Sequence, residues 1–177
     1  TGASVIRLEP IPERIQKLVR LSLNWAKLRH KPNRDKRVAI ILHNYPPRDD
    51  RIGTAFGLDT PASVLNIIRM LKDAGYQIDT IPESGDALIR DIKRHFTNDN
   101  RLRSPDDMAR RAVASISIKQ YMRWFEELPE DVRRRMVKSW GEPPGELFVH
   151  RGSILIPGVI NGNIFIGIQP PRGFLEN

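Results

Sequence analysis

The side chains best suited to recognition chemistry fall in two stretches. The first, 43–63, contains Asn44-Tyr45-Pro46-Pro47, Ile52-Gly53-Thr54-Ala55 and Gly57-Leu58-Asp59-Thr60-Pro61-Ala62-Ser63. The second, 162–173, is an apolar run that ends in Gln169-Pro170-Pro171-Arg172-Gly173. Asn44, Thr60 and Gln169 offer hydrogen-bond donors and acceptors, and Tyr45 adds a ring with a hydroxyl. Arg172 suits a carboxylate through a two-pronged guanidinium contact. Asp59 and Thr60 stand where a helix begins, and free N–H groups there favour a carboxylate or phosphate. Gly53 and Gly57 allow backbone to come close to a ligand. The candidate ligand-contacting residues are therefore Asn44, Tyr45, Asp59, Thr60, Gln169 and Arg172. Packing against another domain would use the same residue types.

Other chemistries find little support. Neither Gly-x-Gly-x-x-Gly nor the Gly-Lys-Ser/Thr of a phosphate-binding loop occurs. The chain has no cysteine, which excludes disulfides, zinc–thiolate sites, iron–sulfur clusters and thiol nucleophiles. His43 with Asp49 and Asp50 is too small a set for a metal, and His30, His95 and His150 are scattered. No nucleophile elbow or paired histidines on a helix can be found. The expectation is no catalytic residue and no metal ligand in this chain.

Positioning the two stretches requires a sheet. Val38-Ala39-Ile40-Ile41-Leu42 is a short aliphatic run, as expected of a buried parallel strand. Thr60-Pro61 then begins a helix, with Thr60 read as its cap, Val64, Ile67, Ile68 and Leu71 as its inner face, and Gly75 as its end. Tyr76 to Ile81 reads as a second strand. Helices are expected from Ser84, from Ser104-Pro105, through Ile118–Phe125, and from Pro129 to Gly141. Residues 153–160 and 163–169 read as strands joined by a turn at Asn161-Gly162. Before all of this, Pro10-Ile11-Pro12-Glu13 opens an amphipathic helix reaching His30, followed by a basic linker. The predicted fold is α/β: a Rossmann-like, mainly parallel sheet flanked by helices, with an inserted helical block over about 84–141 and a C-terminal β-hairpin. The predicted units are 1–37, a helix and linker, and 38–177, the α/β domain. In such sheets ligands bind beyond the carboxyl ends of the strands, which is where both stretches fall.

The 177 residues suit one compact domain with an appendage. The net charge is +8, and nearly all of it lies in 7–37, where ten basic residues face three acidic ones. A basic nucleic-acid-binding module is one reading of that segment. It has no aromatic platform, and a solvated or partner-facing helix accounts for the charge as well. A self-contained small-molecule transferase is a further alternative. No apolar run is long enough to cross a membrane, and Thr1-Gly2-Ala3-Ser4 does not read as a signal peptide. A cytoplasmic setting and a piece of a longer chain are expected.

Taken in order, these motifs resemble the large subunit of metal-inserting chelatases, the CobN/magnesium chelatase family. The resemblance also rests on Trp140-Gly141-Glu142-Pro143-Pro144-Gly145 and Pro157-Gly158, and covers the chain from about Lys36 onward. The Leu58–Ser63 wording and the Arg172-Gly173 ending are more similar to the cobalt branch than to the magnesium branch. The resemblance implies a subunit that binds a tetrapyrrole and is the place of metal insertion. In the cobalt branch the ring is hydrogenobyrinic acid a,c-diamide, on the route to cobalamin. It also implies separate AAA+ motor subunits as partners, with ATP, Mg2+ and Co2+ used by the whole complex and none bound by this segment. The family's His-Gly and Glu-Trp-Leu-Pro-Gly-Lys stretches, candidates for metal handling, lie beyond Asn177, so no catalytic residue is carried over. A large subunit of the magnesium chelatase type is the alternative within the family.

Overall fold

A computed structural model describes residues 9–99 and 103–171. Helix α1, Pro12–His30, has Pro12 in its first turn, where a missing N–H costs nothing. It buries none of its residues, and Trp25 is 68% exposed. The linker after it is held down. Asn33 Nδ2 donates to the Ala74 carbonyl at 2.7 Å, and Asn163 Nδ2 donates to the Arg34 carbonyl at 2.8 Å.

Strand β1 (Val38–Leu42) follows, then α2 (Thr60–Asp73) and α3 (Gly85–Arg94). Next come α4 (Pro105–Arg111), β2 (Ala114–Ser117), α5 (Ile118–Glu126) and α6 (Glu130–Trp140). The chain ends with β3 (Val149–His150), β4 (Ser153–Ile156), β5 (Val159–Asn161) and β6 (Ile164–Ile168). Two small sheets result, ordered β1-β6-β5 and β2-β4-β3.

In the first sheet β1 runs parallel to β6, with Val38 opposite Ile164 and Leu42 opposite Ile168. Helices α2 and α3 cover one face of it. Ile68, Leu88 and Ile92 pack there on Leu42, Ile164 and Ile166. The two helices approach so closely that a Cβ on Gly85 would lie 2.7 Å from the Pro61 ring. The other face is open, with Ile41 and Ile160 each 54% exposed, and β1 is an edge strand. The second sheet shields a smaller cluster of Phe96, Met108 and Leu155. There the Phe96 and Phe148 rings meet edge-on at 4.7 Å.

The mixed α/β class agrees with the sequence, but details of the sheets differ. The parallel pair is β1 with β6, and the other ladders are antiparallel. Tyr76–Ile81 is not a strand. Its polar backbone is served by the Asn161 side chain: Asn161 Oδ1 accepts from the Asp79 and Thr80 N–H groups at 3.0 Å, and Nδ2 donates to the Thr80 carbonyl at 2.7 Å. Residues 153–160 break at Pro157-Gly158 into β4 and β5, which belong to different sheets. The segment read as a helical block contains β2 between α4 and α5. The hairpin of β5 and β6 is present, and its Gly162 takes φ 62°. A Cβ on Gly162 would collide with the Gln77 carbonyl.

Candidate functional site

The carboxyl end of the parallel pair is where three segments meet. The Gln169 N–H donates to the Leu42 carbonyl at 2.8 Å, which carries the β1–β6 ladder one residue past β6. The Gly53 N–H donates to the His43 carbonyl at 2.7 Å, and Asn44 pairs with Ile52 in an isolated antiparallel bridge. The loop after β1 therefore folds back on itself at the strand end. The Tyr45–Pro46 peptide within it is cis.

Asn44, 3% exposed, faces inward. Its Nδ2 donates to the Arg48 carbonyl at 2.8 Å, which closes the loop from inside. Its Oδ1 accepts from Asn98 Nδ2 at 2.8 Å. The same Asn98 Nδ2 donates to the Gln169 carbonyl at 2.8 Å. One amide thus joins the end of β1 to the end of β6 and uses both of its N–H bonds to do so. Asn98 is 2% exposed, and its Oδ1 has no partner among the described residues. An unpaired buried oxygen of this kind costs about 1–3 kcal/mol.

The segment carrying Asn98 is itself anchored. Thr97 Oγ1 donates to Asp49 Oδ1 at 2.6 Å, and the Asp49 N–H donates to Asp99 Oδ2 at 3.3 Å. Its flanks are held by a cluster around Asp107. Arg111 and Arg103 both bond this carboxylate, while Arg111 Nη1 donates to the Arg94 carbonyl and Arg103 Nη2 to the Lys93 carbonyl. Two cations thus meet the last carbonyls of α3, where the helix dipole favours positive charge. The Arg111 hydrogen bond, opposed by desolvation and helped by the charge of Arg111 and by hydrogen bonds from Arg103 and Arg110, holds Asp107 below the usual carboxylate pKa.

Four of the sequence-selected residues sort into two pairs. Asn44 and Gln169 converge through Asn98, Gln169 by its main chain. Asp59 and Thr60 begin α2, but their roles are the reverse of those expected. Asp59 is the cap, its Oδ1 accepting from the Ala62 N–H at 3.0 Å, and Thr60 is the first helical residue. The carboxylate of Asp59 already occupies the helix end that the sequence reading left open to an anion. Thr60 Oγ1 is buried without a partner among the described residues. Tyr45 is exposed. Arg172 lies outside the described residues.

Asp50 is held by Arg48 through two bonds of 2.8 Å, which removes it from the set with His43 and Asp49. Among the described residues no group of three or more His, Asp or Glu side chains is arranged to hold a metal ion. None of their helices is long and apolar enough to cross a membrane. Beyond the anchored part of the loop the tip projects outward, with Phe56 fully exposed and Leu58 more than half exposed. The arrangement is a hydrogen-bonded strand-end wall, whose Asn44 and Asn98 side chains are buried and bonded within the chain, with an apolar lip at the loop tip. A groove of about 430 Å³ lies at the other end of β1, lined by Arg37, Val38 and the β5–β6 turn.

Asn98 was not among the sequence candidates. The available signal was the polar run Thr97-Asn98-Asp99 directly after Phe96, which breaks the inward period of α3 with small amide and carboxylate side chains.

The CobN/Magnesium Chelatase family model matches residues 1–177. An uncharacterized protein of Methanocaldococcus jannaschii is 45% identical over 176 residues, 99% of this chain and 14% of that protein. The aerobic cobaltochelatase subunit CobN of Pseudomonas aeruginosa is 42% identical, over 92% of this chain and 13% of its own length. The H subunit of the magnesium chelatase of Chlorobaculum parvum is 34% identical, over 94% and 12%. Among solved structures, the catalytic subunit of cobaltochelatase from Mycobacterium tuberculosis superposes with a TM-score of 0.77 at 35% identity, covering 94% of this chain and 14% of that one. The chain therefore spans about one seventh of the length of these relatives.

Proposed function

Because the chain belongs to the CobN/magnesium chelatase family, we propose that it forms one wall of the tetrapyrrole crevice in the large subunit of an ATP-dependent chelatase. The observation that carries this reading is the Asn98 amide, which draws Asn44 and the Gln169 main chain together at the carboxyl end of the parallel pair. That is the edge at which open α/β sheets bind ligands. Tyr45 and the Gln169 side chain then face the ring from this wall, and Arg172 serves a ring carboxylate.

Cobalt is the metal we favour, as substrate, with hydrogenobyrinic acid a,c-diamide as its acceptor. The higher identity to the relative named cobaltochelatase than to the one named magnesium chelatase supports this. Insertion removes two pyrrole protons and strips water from the ion, which requires a base and metal ligands. We assign those to other parts of the subunit, so this segment alone binds without turning over. AAA+ motor subunits supply ATP hydrolysis with Mg2+, in the cytoplasm.

The test titrates the subunit-length polypeptide with hydrogenobyrinic acid a,c-diamide and follows tryptophan emission. Tyr45→Ala and Gln169→Ala leave every Asn98 hydrogen bond in place, because Gln169 contributes its carbonyl. Each is expected to raise the ring Kd about tenfold, the loss of one stacking or hydrogen-bonding contact to a buried ligand. An unchanged Kd in both variants overturns the reading. Salt-dependent capture of random oligonucleotides, with no response to the ring, would favour the basic-module alternative instead.

A further inference from the structure

Helix α1 contributes none of its residues to the buried cores described above. At 100° per residue, Leu18, Val19, Leu21, Leu23, Trp25 and Leu28, with Ile11 and Ile15, fall within an arc of about 220°. All eight are at least 45% exposed, and the helix buries nothing. The remaining stripe is net basic, with Lys17, Arg20 and Lys27 against Glu13, and Arg14 and Arg29 add positive charge within the apolar arc. An arc wider than half the circumference suits a helix lying in a groove rather than on a flat surface.

Two observations say what fills that role. First, Asn33 and Arg34 just beyond α1 are bonded to Ala74 and Asn163, which fixes where the helix leaves the domain, and α1 buries none of its residues against it. Second, the solved relative matches 94% of this chain, which leaves about 11 of 177 residues outside the match, fewer than the 19 of α1. Part of α1 is thus included in that match, within a polypeptide about seven times longer. We propose that α1 is a docking helix, seated in an apolar groove with an acidic rim that is formed by other segments of the same large-subunit polypeptide. The inference does not depend on the tetrapyrrole reading, since α1 lies outside the strand-end wall.

The experiment places a photo-reactive p-benzoylphenylalanine at Leu18 of the subunit-length polypeptide, irradiates it, and maps the cross-linked peptides by mass spectrometry. Cross-links within one polypeptide to segments outside these 177 residues, close to Asp or Glu side chains, are expected. Cross-links to this segment's own sheet, to a second copy or to a motor subunit overturn the proposal, as does no cross-link at all. Should the labelled polypeptide not fold, hydroxyl-radical footprinting of the unmodified one gives an independent readout. Trp25 should oxidise about tenfold more slowly than in the urea-unfolded state, as a buried residue does. Equal rates overturn the proposal.

Discussion

Helices α1 and α2 have much in common in sequence and little in environment. Both carry proline in the first turn and both are amphipathic. The shorter, α2, buries Val64, Leu65 and Ile68, the first and last of them in the core against the sheet, whereas the longer α1 buries nothing. Asp59 caps α2 with its side chain, while Ile11 at the equivalent position of α1 has no such bond. An apolar period therefore establishes that a face exists. What covers the face is decided by the rest of the polypeptide.

The most severe test of this contrast is a pair of truncations. Ile68→Ala should cost about 2–5 kcal/mol in urea unfolding, because Ile68 is fully buried and its neighbours cannot collapse onto the void. Leu18→Ala in the same 177-residue chain should cost no more than about 0.5 kcal/mol, as exposed substitutions do. Equal losses would erase the distinction between the helices.

Asn98→Ala comes next. It leaves Asn44 Oδ1 and the Gln169 carbonyl without their donor and should cost about 1–3 kcal/mol. Added amide exchange should appear at the ends of β1 and β6 and not in α1.

The caps offer a smaller effect. Asp59→Ala should lose about 1 kcal/mol, whereas Ile11→Asp, which gives α1 the device that α2 already has, should raise its helicity by circular dichroism.

The packed half should also respond to acid. Asp107 titrates below its ordinary value of 3.8, so its ionised form stabilises the fold at neutral pH. That contribution is lost as pH falls through 3.8 toward the lower folded value. Asp107→Asn should therefore unfold more readily than the parent at pH 7, and the difference should shrink steadily as the pH is lowered below 3.8. A deficit that persists in acid would mean that the arginines are held by something other than this charge.

Much of the architecture was legible because it is local. Ser84 and Ser104 cap α3 and α4 as their sequence positions imply. The aliphatic run Val38–Leu42 is the parallel strand, and Gly162 turns the β5–β6 hairpin. The cap of α2 was displaced by one residue because both Asp59 and Thr60 can cap and only geometry chooses between them. Tyr76–Ile81 has strand-like side chains, but its N–H groups are satisfied by an asparagine more than eighty residues away. β2 is a short Ala-Ser-Ile-Ser run whose partner, β4, lies far along the chain, so no local period announces it. The centre of the candidate site was hidden for the same reason: the Asn98 bonds span 54 and 71 residues.

The unladdered rim of β1 carries a last consequence. Five aliphatic residues with one side unpaired among the described residues form a template on which an extended chain can add. Whatever lies over that rim acts as a chaperone for it. Stripped of such cover, the strand should seed sheet-like self-association, with turbidity rising with concentration and opposed by the charges of Lys36 and Arg37 at its mouth.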